Sequence, residues 1–306
     1  MENEYCIKAF RQRLLAHGLS SDTAKTYGIY LGQFMAFMRK HHAAHAAKPN
    51  REQVGAFRKT LEELSPSSRK NTDAALRKYF GFQVDDGAML SNPMDGVRSP
   101  KENPQAIRPT LTPEEMGKVL ATPPADTPIG VRNRAVMEVL YSTAIRLKEL
   151  LGLSVYDVDL KEGFVWVRGK GRRERKIPIG KSATAWVKRY LEFARPKLGR
   201  SQPSSKLFLS RLGDEIKRPE VARLIRNAAT AAVVSKKVTP HVFRHTAATE
   251  MVRNGAPLRY VQELLGHRFM VTTQVYTRVT NPDLHSMIER CHPSLKSKGK
   301  APTWGT

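Results

Sequence analysis

Apolar residues recur at helical spacing through most of the first ninety positions. Leu19-Ser20-Ser21 supplies a cap, after which Tyr27, Leu31, Phe34, Met35 and Met38 share one face of a helix running to about Lys40. His41 to Pro49 is an Ala- and His-rich connector, followed by a helix from about Arg51 to Leu64 with Val54, Phe57 and Leu61 as its buried stripe. Ser65-Pro66-Ser67-Ser68 breaks the chain, and the next helix carries Leu76, Tyr79, Phe80 and Phe82 on its apolar side. Its flanks hold Arg69, Lys70, Arg77 and Lys78, candidates for contact with a polyanion if they are more than a solvated face.

The pattern changes from Asn92 to Pro113, where five prolines interrupt a stretch that includes Lys101 and Arg108 and has little apolar content. Such a segment reads as an extended linker. Thr112-Pro113-Glu114-Glu115 then opens a helix with Pro at its first position and acids in its first turn. A longer helix is expected from about Gly130 to Gly152, with Val136, Val139, Leu140, Leu147 and Leu150 as its core stripe. Phe164-Val165-Trp166-Val167 and Lys176-Ile177-Pro178-Ile179 are strand-like and flank a basic, glycine-bounded turn, Gly169-Lys170-Gly171-Arg172-Arg173, so a β-hairpin is expected. Helices resume at about Ala183 to Leu198 and Pro219 to Val234. Another starts at Thr239-Pro240 and stops at Gly255, and a short one from Pro257 to Leu265 ends at Gly266. The predicted architecture is mainly α with a small β-sheet in the second domain. It comprises a helical domain at 1–92, a proline-rich linker at 93–111, a mixed domain at 112–290 and a tail at 291–306.

Composition narrows the class. Lys and Arg number 52 against 28 Asp and Glu, giving a net charge of +24 and a pI near 10.3. So large an excess calls for a polyanionic partner, and nucleic acid is the first candidate. No basic amphipathic segment with a broad apolar face suggests a membrane surface, and no apolar run approaches spanning length. Cys6 and Cys291 lie at opposite ends of the chain, outside any C-x-x-C pair or His ladder, so a reduced cytosolic protein without zinc is expected.

Breaking a DNA phosphodiester without metal requires planar guanidiniums on the non-bridging oxygens, a proton donor for the leaving oxygen and a nucleophile that retains the DNA end. Candidates occur in order along the chain. Arg146 has Glu149 at i+3, able to orient it. Lys170 lies at the hairpin tip, and His241 and Arg244 are i and i+3 near the start of their helix. His267 follows the capping Gly266, and Tyr276 comes nine residues later. Each alone has a bland reading: a surface arginine, an ordinary turn, a core tyrosine. The combination is what points to chemistry.

Thr143-Ala144-Ile145-Arg146-Leu147-Lys148-Glu149-Leu150, Gly169-Lys170-Gly171, His241-Val242-Phe243-Arg244-His245, Leu264-Leu265-Gly266-His267 and Val275-Tyr276-Thr277 together resemble the tyrosine recombinase (phage integrase) family, in its simpler Xer-like form. The resemblance covers most of the chain, because the helical first domain is similar to that family's core-binding domain. It implies a two-domain clamp on duplex DNA with its specific recombination site, a covalent 3′-phosphotyrosyl intermediate on Tyr276, and a tetramer on DNA. By the same resemblance Arg146 and Arg244 hold the non-bridging oxygens, Lys170 protonates the leaving oxygen, and His241 and His267 serve the phosphate or its protons. Glu149 is the acidic helper behind them. Arg69, Lys70, Arg77, Lys78, Lys101, Arg172 and Arg173 are the expected DNA-binding residues, no cofactor or metal is implied, and a cytoplasmic, nucleoid-associated location follows. The chain departs from the family at Ala144, where glycine is usual, and at Arg268-Phe269-Met270, where small polar residues are usual. A type IB-like topoisomerase and a non-catalytic DNA-binding protein of the same fold are the competing readings.

Overall fold

Side-chain caps at Ser20, Asn50, Ser65, Thr112, Thr127 and Thr239 set six helix starts in the computed structural model, which describes residues 2–42, 48–100, 109–169, 174–198, 204–266 and 290–292. The chain divides into two compact units, Met1–Ala106 and Ile107–Thr306.

In the first unit the described helices are α1 (Glu2–Ala16), α2 (Ser21–His41), α3 (Arg51–Lys59) and α4 (Pro66–Asp85). Ser20, Asn50 and Ser65 each accept a hydrogen bond from the backbone N–H three residues on, and Gln53 reaches back to Asn50 to complete a capping box. Each such cap contributes roughly 1 kcal/mol. The core is aromatic: Phe34 meets Phe57 and Phe80 edge-on, with ring centroids 5.2 and 5.7 Å apart. Helix α3 ends at Lys59, short of the expected Leu64, and the chain continues in turns. The start of the expected linker also belongs to this unit. Met94 is wholly buried in its core, and Arg77 and Arg58 donate to the carbonyls of Val97 and Arg98.

The second unit begins with α5 (Pro113–Ala121), α6 (Pro128–Thr143) and α7 (Leu147–Gly152). Three antiparallel strands follow in the order β1 (Val158–Asp159), β2 (Phe164–Arg168) and β3 (Glu174–Pro178). The rest is helical: α8 (Lys181–Arg189), α9 (Arg195–Leu198), α10 (Arg218–Ala231), α11 (Pro240–Arg253) and α12 (Leu258–Leu265). A π-helical turn at Tyr190–Ala194 joins α8 to α9. The expected hairpin is β2 and β3, with Val165 opposite Ile177 and Val167 opposite Arg175. Val165, Val167 and Ile177 enter the core, while the Lys176 ammonium covers the Phe164 ring at 3.9 Å. The two-residue strand β1 carries no periodicity of its own and was not foreseen.

Helix α6 is the central element, buried along nearly its whole length, and its charged side chains are paired: Arg132 with Glu220 at 2.7 Å and Arg134 with Glu138 at 2.8 Å. The expected single helix from Gly130 to Gly152 is in fact two. Ala144 adopts a left-handed conformation, φ +49°, which ends α6, and Arg146 becomes the extended N-cap of α7. At the far end of the unit, Cys291 and His292, placed in the tail by the sequence, are buried against this core. The Asn254 side chain donates to the Cys291 carbonyl at 3.0 Å, and the His292 Nε2–H donates to the carbonyl of Tyr141 at 3.2 Å. Met287 and Ile288, which the sequence presents as an apolar patch suited to packing on a neighbouring protomer, lie outside the described residues.

Candidate active site

The C-terminus of α12 gathers three arginines. A helix leaves its last carbonyls without partners inside the helix, and its dipole makes that end attractive to cations. Here consecutive carbonyls are each taken by a guanidinium from a different element. Arg175 Nε, on β3, donates to Leu264 O at 3.3 Å; Arg244 Nη2, on α11, donates to Leu265 O at 2.6 Å; Arg146 Nη2, at the cap of α7, donates to Gly266 O at 3.2 Å. Gly266 terminates the helix with φ +59°. Arg244 Nη1 also donates to the Ala144 carbonyl, so the break between α6 and α7 is fastened to α11.

Glu149 supplies the counter-charge. Its Oε2 accepts from the Arg146 backbone N–H at 2.7 Å and its Oε1 from Arg146 Nη1 at 3.1 Å, while Arg175 grips both oxygens at 2.9 Å each. Burial alone would raise this carboxyl, but the Arg175 hydrogen bonds, the Arg146 N–H and the two guanidinium charges hold it below the usual carboxylate range. The arginines differ in access: the Arg146 side chain is 41% exposed, whereas Arg244 is 8% exposed. Burial, reinforced by neighbouring Arg146, pushes the Arg244 guanidinium down to about 10, which leaves it charged at neutral pH. One turn before Arg244, His241 stands exposed in the first turn of α11, behind the Thr239 cap. The end of α12 therefore holds three guanidiniums, of which Arg146 is the exposed one, an arrangement of fixed planar donors suited to the non-bridging oxygens of a phosphodiester.

Two family models match the chain: "Phage integrase family" over residues 109–282 and "Phage integrase, N-terminal SAM-like domain" over residues 7–87. The tyrosine recombinase XerD of Listeria monocytogenes is 37% identical over 286 residues, covering 92% of this chain and 95% of that protein. The tyrosine recombinase XerC of Pelobacter propionicus is 33% identical over 296 residues, covering 95% and 96%. The chain belongs to the phage integrase family. It is a tyrosine site-specific recombinase. Its fold is similar to that of a lambda integrase (75–356) dimer bound to a COC′ core site, with a TM-score of 0.69, 18% identity and coverage of 90% of this chain and 99% of that one. It is likewise similar to the XerH recombinase bound to difH in a pre-cleavage complex, with a TM-score of 0.64, 22% identity and coverage of 86% and 78%.

Of the residues expected to do chemistry in the recombinase, Arg146, His241 and Arg244 are described, with Glu149 behind them; Lys170, His267 and Tyr276 lie outside the described residues. So do Lys101, Arg172 and Arg173 among the expected DNA-binding residues. Of the remaining four, all on α4, Arg69 is half-buried, and Lys70, Arg77 and Lys78 are exposed. Arg77 is partly committed to structure through its bond to Val97 O at 2.9 Å, and Lys78 lies 5.9 Å from the Phe82 ring centre. Sequence reasoning missed Arg175. The one available signal was parity: in a β-hairpin whose Ile177 faces inward, Arg175 points to the same side two residues earlier, toward the core and not the solvent. Among the described residues no cluster of three His, Cys, Asp or Glu side chains is placed to hold a metal ion, and no helix is long and apolar enough to cross a membrane.

Proposed function

We propose that Tyr276 attacks the scissile phosphate to form a 3′-phosphotyrosyl link and a free 5′-hydroxyl, with Arg146 and Arg244 neutralising the non-bridging oxygens. Lys170 protonates the leaving 5′-oxygen, His241 accepts the Tyr276 proton or joins the clamp, and His267 donates to the phosphate. The observation that carries this reading is the seating of Arg146 and Arg244 on successive carbonyls at the end of α12, Gly266 O at 3.2 Å and Leu265 O at 2.6 Å. Donors fixed before substrate arrives need no reorganisation as charge develops, which is where most electrostatic catalysis comes from. The guanidiniums supply charge stabilisation that a metal would otherwise provide, and the phosphotyrosyl link conserves bond energy, so strand cleavage runs in EDTA and without a nucleotide.

Residues 1–92 form the DNA-binding domain, residues 112–290 the catalytic one, and the basic flank of α4 with Lys101, Arg172 and Arg173 contacts DNA. Reciprocal exchange between two duplexes takes four strand breaks and one active site makes one, so four protomers gather on two copies of a specific site, in the cytoplasm and on the nucleoid. Membership of the family favours exchange between duplexes over relaxation of one. The test is a nicked duplex bearing the recombination site, from which the short 5′-hydroxyl fragment diffuses away once the strand is cleaved. The wild-type chain should accumulate a covalent adduct in EDTA, and Tyr276→Phe should give none while binding the site within a few-fold of wild type. A Tyr276→Phe adduct, or a strict Mg²⁺ requirement for the cleavage step, overturns the assignment.

A further inference from the structure

We infer that Arg175 is a positioning residue for strand cleavage: it holds Glu149 in place behind Arg146 and ties strand β3 to the end of α12, without touching the scissile phosphate. The inference rests on the reading of Arg146 and Arg244 as the phosphate clamp. Arg175 has its donors turned inward. Nη1 and Nη2 each meet a Glu149 oxygen at 2.9 Å, and Nε meets Leu264 O at 3.3 Å. Its side chain is 20% exposed, half as much as that of Arg146.

The Glu149 carboxylate, only 5% exposed, is thus shared between an inner guanidinium and an outer one. Sharing matters because the strength of the outer pair depends on the inner one. With Arg175 in place the carboxylate is largely neutralised and orients Arg146 by one side-chain bond of 3.1 Å and one backbone bond of 2.7 Å. Without Arg175 a buried carboxylate would be left with Arg146 as its nearest described partner. Its attraction for that guanidinium would rise, since a buried charge stripped of one partner leans on the next. Arg146 would then be drawn toward Glu149 and away from an incoming phosphate. Displacements of about 1 Å in such a group cost about 100-fold in rate.

Gly266 is shaped to the same arrangement. A Cβ at that position would lie 3.3 Å from Arg175 Cζ and Nη1, tighter than ordinary contact, and φ is +59°. The same residue offers its carbonyl to Arg146. One glycine therefore both leaves room for the inner guanidinium and anchors the outer one, which couples β3, α7 and α12 into one rigid corner.

The experiment uses the full-length protein on the nicked duplex, with single-turnover cleavage and half-site binding measured separately. Arg175→Gln should bind within threefold of wild type yet cleave about 100-fold more slowly. Adding Glu149→Gln to Arg175→Gln removes the charge that draws Arg146 inward and should speed cleavage about tenfold over Arg175→Gln alone, a gain that a merely structural role or a direct phosphate contact would not produce. Should Arg175→Gln melt below the assay temperature, Arg175→Lys carries the comparison. A lysine keeps the charge but cannot grip both oxygens, so cleavage should still fall severalfold with binding unchanged. Cleavage by Arg175→Gln or Arg175→Lys within twofold of wild type, no gain in the double variant, or a binding loss as large as the cleavage loss would each overturn the inference. No adduct from the wild-type chain would overturn the phosphate clamp with it, whereas a normal wild-type adduct alongside a normal Arg175→Gln adduct overturns the role of Arg175 alone.

Discussion

The guanidiniums of Arg146, Arg175 and Arg244 sit on carbonyls and a carboxylate of their own unit, whereas Lys70, Arg77 and Lys78 line the exposed flank of α4. Both groups add to the same net charge of +24, yet they are built for different work. Arginines on a helix end are costly to assemble, because like charges crowd and desolvate; once assembled they present donors at fixed places. Of the α4 cations, Lys70 and Lys78 cost little and can move, while Arg77 is partly held by its bond to Val97 O. They strengthen attraction to any phosphate backbone through counterion release, with little dependence on geometry. Net charge therefore points to a polyanionic partner, and it takes the pairing of each charge to separate the cations fixed within the fold from those left to solvent.

The sharpest way to break this contrast is to remove a seated arginine. Arg244→Ala should lower single-turnover cleavage by about 10²- to 10³-fold while half-site binding changes only a few-fold. A loss confined to binding would place Arg244 with the α4 cations. Next in size is the converse experiment. Removing Arg69 and Lys70 together should weaken binding severalfold at moderate salt, and the log–log slope against salt should flatten by about 0.9 for each phosphate that the variant no longer neutralises. Titrations at several salt concentrations measure this, and an unchanged slope would show that the flank faces away from DNA.

The burial that organises the second unit also leaves a pH signature. Burial holds the His292 imidazole down at about 4, below its ordinary value near 6.5, with the bond to Tyr141 opposing the shift. Since the unfolded chain takes up a proton between those values and the folded one does not, stability is full above about pH 6.5 and falls as pH drops toward 4. His292→Gln should flatten the melting temperature across that window, and a parallel loss in both proteins would assign the acid sensitivity elsewhere. The smallest expected effect concerns Ala144. Its left-handed φ of +49° costs an L-residue about 1 kcal/mol, part of which glycine returns as added freedom in the unfolded chain. Ala144→Gly should raise the melting temperature by up to about 2–4 °C, and a fall would mean that the packing of the Ala144 methyl outweighs the backbone strain.

That same residue marks the limit of what the sequence discloses. Helix starts were legible because Ser20, Thr112 and Thr239 are caps with a chemical signature, and the hairpin was legible from alternation around Gly169 and Gly171. The break between α6 and α7 was not. Val136, Val139, Leu140, Leu147 and Leu150 keep helical phase across it, and neither glycine nor proline stands there to interrupt the pattern. The pairing of Glu149 with Arg146 was foreseen from their spacing, but as neighbours on a helix face; it is a capping contact, with the carboxylate reaching back to the Arg146 N–H. Arg175 was hidden because its partners, Glu149 and Leu264, lie 26 and 89 residues away, and only the folded chain brings three arginines to one helix end.

The most direct test of the arginine corner replaces one non-bridging oxygen of the scissile phosphate with a methyl group, giving a neutral methylphosphonate. Arg146 and Arg244 are held to act by neutralising charge at that phosphate, so a substrate without the charge should need them less. Cleavage by Arg146→Ala, strongly impaired on ordinary DNA, should recover by about 100-fold or more on the methylphosphonate, and the covalent adduct on Tyr276 should reappear. An Arg146→Ala protein equally slow on both substrates would contradict the account, because the arginine would then be serving something other than the charge of the transition state.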